Sequence, residues 1–210
     1  MVHRPHGDDE DRRPPLTRER VVAEALTVIT DEGVEALTMR TLAARLGVVP
    51  AALYRHARNK QQLHDLVLDG VLAEVDRTVH PSLAWTQRIK TLAHRLRAVL
   101  EDHPGVAGLL KLRDPLGPHS LAVAEAFLAL LHTAGVPDRE AGLAFFLVVD
   151  YTVGFAVSSP RTSVDERFAA GLDMLIDGLE RARGAPRRRA LGGRPTTTPR
   201  RAAPQHAVDR

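Results

Sequence analysis

Residues 32–60 read EGVEALTMRTLAARLGVVPAALYRHARNK, and the punctuation inside this stretch decides how the chain folds. Thr38 is a natural N-cap for a short helix whose inward face is Leu42 and Leu46, and Gly47 ends that helix where the backbone must turn sharply. A further helix starts at once. Pro50 suits a first helical position, and the spacing predicts a helix over 50–57 with Leu53 as its inward anchor. Ala51, Ala52, Tyr54, Arg55 and His56 are then available for other surfaces, with burial of Tyr54 in the core as the competing reading. Asn59, with Gln62 three residues on, caps a fourth helix. Its apolar stripe is Leu63, Leu66, Val67, Gly70 and Val71, and it is predicted to run to about Thr78.

Upstream, Thr17 reads as the N-cap of a first helix over 18–32, with Glu19 in the positive first turn, Leu16 and Val21 as a hydrophobic staple, and Gly33 as the left-handed stop. Two short helices around a tight glycine turn, braced by a longer first helix, form the helix-turn-helix arrangement, in which the second of the pair enters the major groove of DNA. Lys60 stands at the N-terminus of the next helix, where its charge and the free amides suit a backbone phosphate.

Pro81 breaks the pattern and divides the chain. The predicted organisation is a charged, proline-rich flexible arm (1–15), the DNA-binding module (16–79, helix 4 as connector), a helical domain (80–183) and a disordered Arg/Pro/Ala/Thr tail (184–210). In the helical domain Trp85, Ile89, Leu92, Leu96 and Leu100 mark an amphipathic helix stopped near His103 by Pro104. A short apolar piece, Val106 to Leu112, follows, then a helix from Pro118 to Ala134 and one over 138–157 that is apolar nearly all round. Ser163 and Glu166 form a capping box for a last helix carrying Phe168, Leu172, Leu175 and Leu179 along one side.

Charge has to be located before it is interpreted. The sequence pI is about 9.8, yet residues 181–210 hold nine arginines against the single acid Asp209. That segment alone is +8, so a chain of net +3 leaves −5 on everything before it. The basic pI belongs to the tail and does not argue for DNA binding. No cysteine is present, which excludes a disulfide framework, a thiolate metal site and thiol catalysis. The ten histidines show no metal-ligand spacing, and there is no Ser/His/Asp, paired-carboxylate or phosphate-loop pattern, so neither an enzyme nor a cofactor is expected. The N-terminus lacks the apolar run of a signal peptide, which predicts a cytoplasmic protein.

The stretch LTRERVVAEALTVITDEGVEALTMRTLAARLGVVPAALYRHARNKQQLHDLVLDGVLAEV (16–75) resembles the DNA-binding region of TetR-family regulators. AWTQRIKTLAHRLRAVLEDHPG, GPHSLAVAEAFLALLHTAGV and VVDYTVGFAV resemble, more loosely, the C-terminal domain of the tetracycline-repressor-like branch. The resemblance implies an all-α protein, a three-helix DNA-binding domain followed by a ligand-binding and dimerisation domain, acting as a homodimer on a double-stranded DNA operator and answering to a small-molecule effector. It implies base contacts from Arg40 and the groove helix, including Ala51, Ala52 and Arg55, and phosphate contacts from Thr38, Tyr54, His56 and Lys60. Val49 departs from the serine that many members place at the cap of that helix. The last two helices are expected to pair with their copies through Phe155, Phe168, Leu172, Leu175 and Leu179. In tetracycline-binding members a histidine holds the drug's metal ion; the alignment puts Leu109 there, which disfavours a tetracycline–metal effector and points to an apolar one.

Around that pocket, His103 either contacts ligand or caps its helix, and Phe127 either lines the pocket or fills core. Asp150, a charge in an apolar helix, either binds ligand or bridges to an arginine such as Arg97 or Arg113. It also argues, with two glycines, against a membrane span at 138–157. The rival functional class is a helical small-molecule-binding or scaffolding protein whose N-terminal module no longer reads DNA.

Overall fold

The computed structural model describes residues 15–110, 117–158 and 165–184. The expected arm and tail, the Ser163 capping box and Arg113 lie outside the described residues, apart from Pro15 and Gly184 at their edges. Among the described residues the regular structure is helical: α1 (Arg18–Glu32), a 3-10 turn (Val34–Ala36), α2 (Met39–Leu46), α3 (Pro50–Leu53), α4 (Lys60–Leu72), α5 (Trp85–Asp102), α6 (Pro104–Leu110), α7 (Pro118–Thr133), α8 (Asp138–Ser158) and α9 (Asp165–Gly184).

The caps act as their sequences predict. Thr17 Oγ1 accepts from the Arg20 amide at 3.2 Å, Thr38 Oγ1 from the Thr41 amide at 3.0 Å, and Asn59 Oδ1 from the Gln62 amide at 2.8 Å. Gln62 reaches back to accept from the Arg58 amide, so both members of the pair satisfy amides the helix itself leaves open. Gly47 sits in the left-handed region, φ 67° and ψ 33°, which makes the abrupt turn from α2 into α3 possible.

Two boundaries differ from expectation. Regular α3 is a single turn, Pro50–Leu53, and Val49 gives it no side-chain cap. The chain still keeps a helical path beyond it, with the Ala57 amide on the Leu53 carbonyl at 3.0 Å. Helix α4 stops at Leu72 and not near Thr78. Asp76 accepts from both the amide and the hydroxyl of Thr78, a local pairing that competes with helix continuation.

One core runs through the whole molecule. Val21, Ala25, Val28, Leu37, Leu42, Leu53, Leu63 and Val67 close the N-terminal module; Ile89, Leu92, Leu96, Leu100, Phe127, Leu131, Ala141, Val148, Phe168 and Leu172 fill the C-terminal one. α5 and α8 form the main packed pair of the C-terminal helices, and α4 packs on α1, α6 and α7. Two glycines allow close helix approach, Gly70 within the N-terminal module and Gly105 between the two modules. A Cβ on Gly70 of α4 would stand 2.6 Å from Val22 Cγ1 of α1, and one on Gly105 of α6 would stand 2.3 Å from Ile29 Cγ2 of α1.

Candidate nucleic-acid interface

The helix-turn-helix presents its predicted residues unequally. Arg40, Ala51, Tyr54 and Arg55 are exposed, while Thr38, Ala52, His56 and Lys60 are half-buried. Tyr54 is 53% exposed, which removes the competing view of it as a core residue. Leu53, one position earlier, takes the inward place and anchors the one-turn helix, so its neighbours are turned outward. Val49, 67% exposed at the head of α3, adds an apolar edge to the same element.

The cations of this module fall into two sets. Arg45 is bound to Asp31 at 3.1 Å and Glu32 at 2.6 Å, tying α2 to the end of α1, and these hydrogen bonds raise its pKa further. Arg18 pairs with Asp69 at 3.1 Å. Arg40, Arg55 and Arg58, by contrast, are exposed and make no ion pair among the described residues, so the reading element itself supplies unneutralised charge. Lys60 is intermediate: its Nζ lies 3.1 Å from Glu35 Oε2. Thr38 is engaged in its own cap and in a 2.9 Å hydrogen bond with the Thr41 hydroxyl.

The C-terminal residues are placed as follows. Leu109 and Phe127 are buried, Phe127 completely. His103 closes α5, and its Nε2 stands 3.2 Å from Glu74 Oε2 in the turn after α4, so its polar contact is with the protein at a helix end. Asp150 is exposed on α8 and is not a buried charge. Arg97, named as its partner, instead bonds Glu101 at 2.7 Å and Asp165 at 2.8 Å, with its guanidinium 4.6 Å over the Phe168 ring. A buried guanidinium requires charged partners, and carboxylates of α5 and α9 neutralise it.

Two of the five residues expected at the dimer face, Phe168 and Leu172, have no surface to offer a partner. Phe168 and Leu172 are fully buried within their own chain, Leu175 and Leu179 are half-buried, and Phe155 packs on Tyr151 and Phe168. A side chain with no exposed surface cannot touch a partner. On the last three helices the exposed large apolar residues are Leu121 on α7, Leu143, Phe146, Leu147 and Val157 on α8, and Met174 on α9.

Sequence reasoning missed Asp69. This carboxylate is 1% exposed, accepts from the His119 and Ser120 amides at 2.9 and 3.0 Å and from the Ser120 hydroxyl at 3.2 Å, and takes the Arg18 guanidinium on its other oxygen. The signal that could have found it is a lone charge in the run Leu66-Val67-Leu68-Asp69 of an otherwise apolar face.

With this geometry established, comparison with known proteins is direct. Residues 21–67 match the family described as bacterial regulatory proteins, tetR family, and residues 80–163 match the tetracyclin repressor-like C-terminal domain. An HTH-type transcriptional regulator from Saccharopolyspora erythraea is 36% identical over 142 residues, 68% of this chain and 60% of the relative; the chain thus spans less than two thirds of that protein's length. Tetracycline repressor protein class C from Escherichia coli is 32% identical over 152 residues, 71% of this chain and 69% of the relative. Among solved structures, ActR from Streptomyces coelicolor in complex with actinorhodin superposes with a TM-score of 0.74 at 30% identity, covering 82% of this chain and all of that one (100%). BioQ with its natural double-stranded DNA operator gives 0.67 at 33% identity over 79% of this chain and 98% of that one. The fold, the helix-turn-helix and both halves of the match lead to one assignment: this chain belongs to the TetR family of bacterial transcriptional regulators.

Proposed function

We propose that the protein is a cytoplasmic repressor that binds a palindromic DNA operator as a homodimer and is released from it by a small, largely apolar molecule. The observation that carries the DNA half is the exposed set of Arg40, Arg55 and Arg58, with Lys60 beside them, on a helix-turn-helix in which Arg18 and Arg45 are tied into the protein. Arg40 and Arg55 read base edges, with guanine their best partner, and Lys60 grips a phosphate. BioQ, which has the same fold, is described with its DNA operator, and ActR with actinorhodin, which supports carrying both partner classes over.

The homodimer is supported by the stripe Leu143, Phe146, Leu147 and Val157 on α8. Its helix is long and apolar enough to span a membrane by length and composition, with only 33% of that window buried in the chain. In a soluble family such a face is covered by a second copy, and Asp150 with two glycines interrupts any membrane reading. A two-fold dimer sets two groove helices about 34 Å apart, one turn of DNA. An effector that binds better to a form with altered spacing removes the protein from its site. The buried apolar neighbourhood of Leu109 and Phe127 supports an apolar effector and no metal-chelated one. The relatives are transcriptional regulators, and no catalytic step is assigned to the chain.

The test is titration of the full chain against labelled DNA from upstream of its own gene and against a scrambled duplex, over a salt series. Sequence-specific binding is expected; absence of binding at every salt concentration would establish the scaffolding alternative.

A further inference from the structure

α7 begins at Pro118 with Gly117 as its N-cap, and a glycine has no side chain with which to satisfy the helix's open amides. The acceptor comes from another module. Asp69 Oδ1, carried by α4, takes the His119 amide, the Ser120 amide and the Ser120 hydroxyl, while Oδ2 holds Arg18 at the start of α1. One buried carboxylate therefore joins the first helix of the DNA-reading module, the connector helix and the head of a C-terminal helix. Gly117 is the condition for this: a Cβ there would stand 2.0 Å from Asp69 Oδ1, although its φ of −82° and ψ of 163° suit any residue.

We infer that Asp69 is the positioning residue that fixes the angle of the DNA-reading module on the C-terminal domain, and through it the half-site spacing that the dimer accepts. The inference rests on the proposed function and adds to it a determinant that touches no DNA. A hydrogen bond to a charged group is short and directional, and three of them converge on one oxygen in a site excluded from water, so small rotations of α4 against α7 break them together. Apolar contacts between the same helices are individually non-directional, so they restrain the angle less sharply. Two further polar ties join the segment after α4 to α5, His103 to Glu74 and Arg95 to Asp76; both are partly exposed and weaker as constraints than the buried Asp69.

The experiment uses the full chain and a series of operators with the native centre, and with two base pairs removed or inserted, which displaces one half-site by roughly 7 Å along the helix axis and also rotates it. Wild type is expected to discriminate against both altered operators. Asp69→Asn keeps an acceptor oxygen and loses the charge; Gly117→Ala crowds the contact from the other side; Ser120→Ala removes only the hydroxyl donor and leaves both amides. In Asp69→Asn and Gly117→Ala the discrimination between native and altered spacing is expected to fall about tenfold, the factor carried by one charged hydrogen bond, and in Ser120→Ala by a smaller factor. Affinity for random-sequence DNA and its salt slope, which a purely stabilising residue would leave equally untouched, serve as the baseline. Circular dichroism and mass-resolved chromatography check that each variant is folded and dimeric, and Ser120→Ala carries the test if Asp69→Asn does not fold. Folded variants that retain wild-type spacing discrimination would overturn the inference while leaving the operator reading intact. Wild type that binds no operator would overturn both.

Discussion

Glu35 Oε2 lies 3.1 Å from Lys60 Nζ, so a carboxylate occupies the side chain that this account assigns to a DNA phosphate. Glu35 is 92% exposed at its side chain, and an exposed pair is worth about 0–1 kcal/mol. Binding DNA exchanges that carboxylate for a phosphate. Glu35→Gln is therefore expected to tighten binding to all sequences alike, by up to about fivefold, with no measurable change in melting temperature. Anisotropy titrations on specific and random duplexes check this; unchanged or weaker binding would contradict it.

The head of α3 carries Val49 in extended geometry, φ −73° and ψ 145°, with no side-chain hydrogen bond to the helix. That backbone is the one a capping serine uses. Because Val49 is 67% exposed, its loss removes little buried surface. Val49→Ser is expected to stabilise the protein by about 0.5–1 kcal/mol, read as a rise in melting temperature. A fall in melting temperature would mean that Val49 contributes packing the structure does not show.

Exposed and buried apolar residues of the last helices have different expected effects. Phe146 is 54% exposed on α8, whereas Phe168 is fully buried and in ring contact with His94, Tyr151 and Phe155. Phe146→Glu is expected to yield a folded monomer by light scattering, with normal helix content and lost affinity for a full palindrome. Phe168→Ala is expected to lower unfolding free energy by about 3–5 kcal/mol in the chain itself. A dimeric Phe146→Glu would place the interface elsewhere.

These residues show what was legible in the sequence. Caps such as Thr17, Thr38 and Asn59 bond three residues along the chain, so local order alone reveals them. Hydrophobic periodicity overextends α4 because Val75 is buried and continues the stripe past the true end; the tightening to i→i−3 bonds at Glu74 and Val75 leaves no mark in it. Phe168 and Leu172 do form an apolar face, but periodicity cannot say whether the chain or its copy covers it. Asp69 and Asp150 are the same signal, one acid in an apolar run. Only Asp69 is buried, because Arg18 and the head of α7, about 50 residues away in either direction, converge on it.

His94 lies edge-on to Phe168, ring centroids 5.0 Å apart, and partial desolvation first and the Arg97 charge second hold its pKa below the ordinary 6.5. A histidine with a depressed folded-state pKa is protonated more readily in the unfolded chain. Its contribution to stability is whole above pH 6.5 and is lost as pH falls from there through the folded-state value. Melting temperature is expected to drop on acidification across that window, and less steeply in His94→Gln. An NMR titration placing His94 at or above 6.5 would contradict the assignment.

The central claim, sequence read by Arg40 and phosphate held by Lys60, is tested most directly by comparing Arg40→Ala and Lys60→Ala on a panel of single-base operator variants over a salt series. Arg40→Ala is expected to flatten base preference at one position by about 1–3 kcal/mol. Lys60→Ala is expected to weaken every duplex alike and to reduce the salt slope by about one. Equal, uniform losses for both variants across the whole panel would contradict the account.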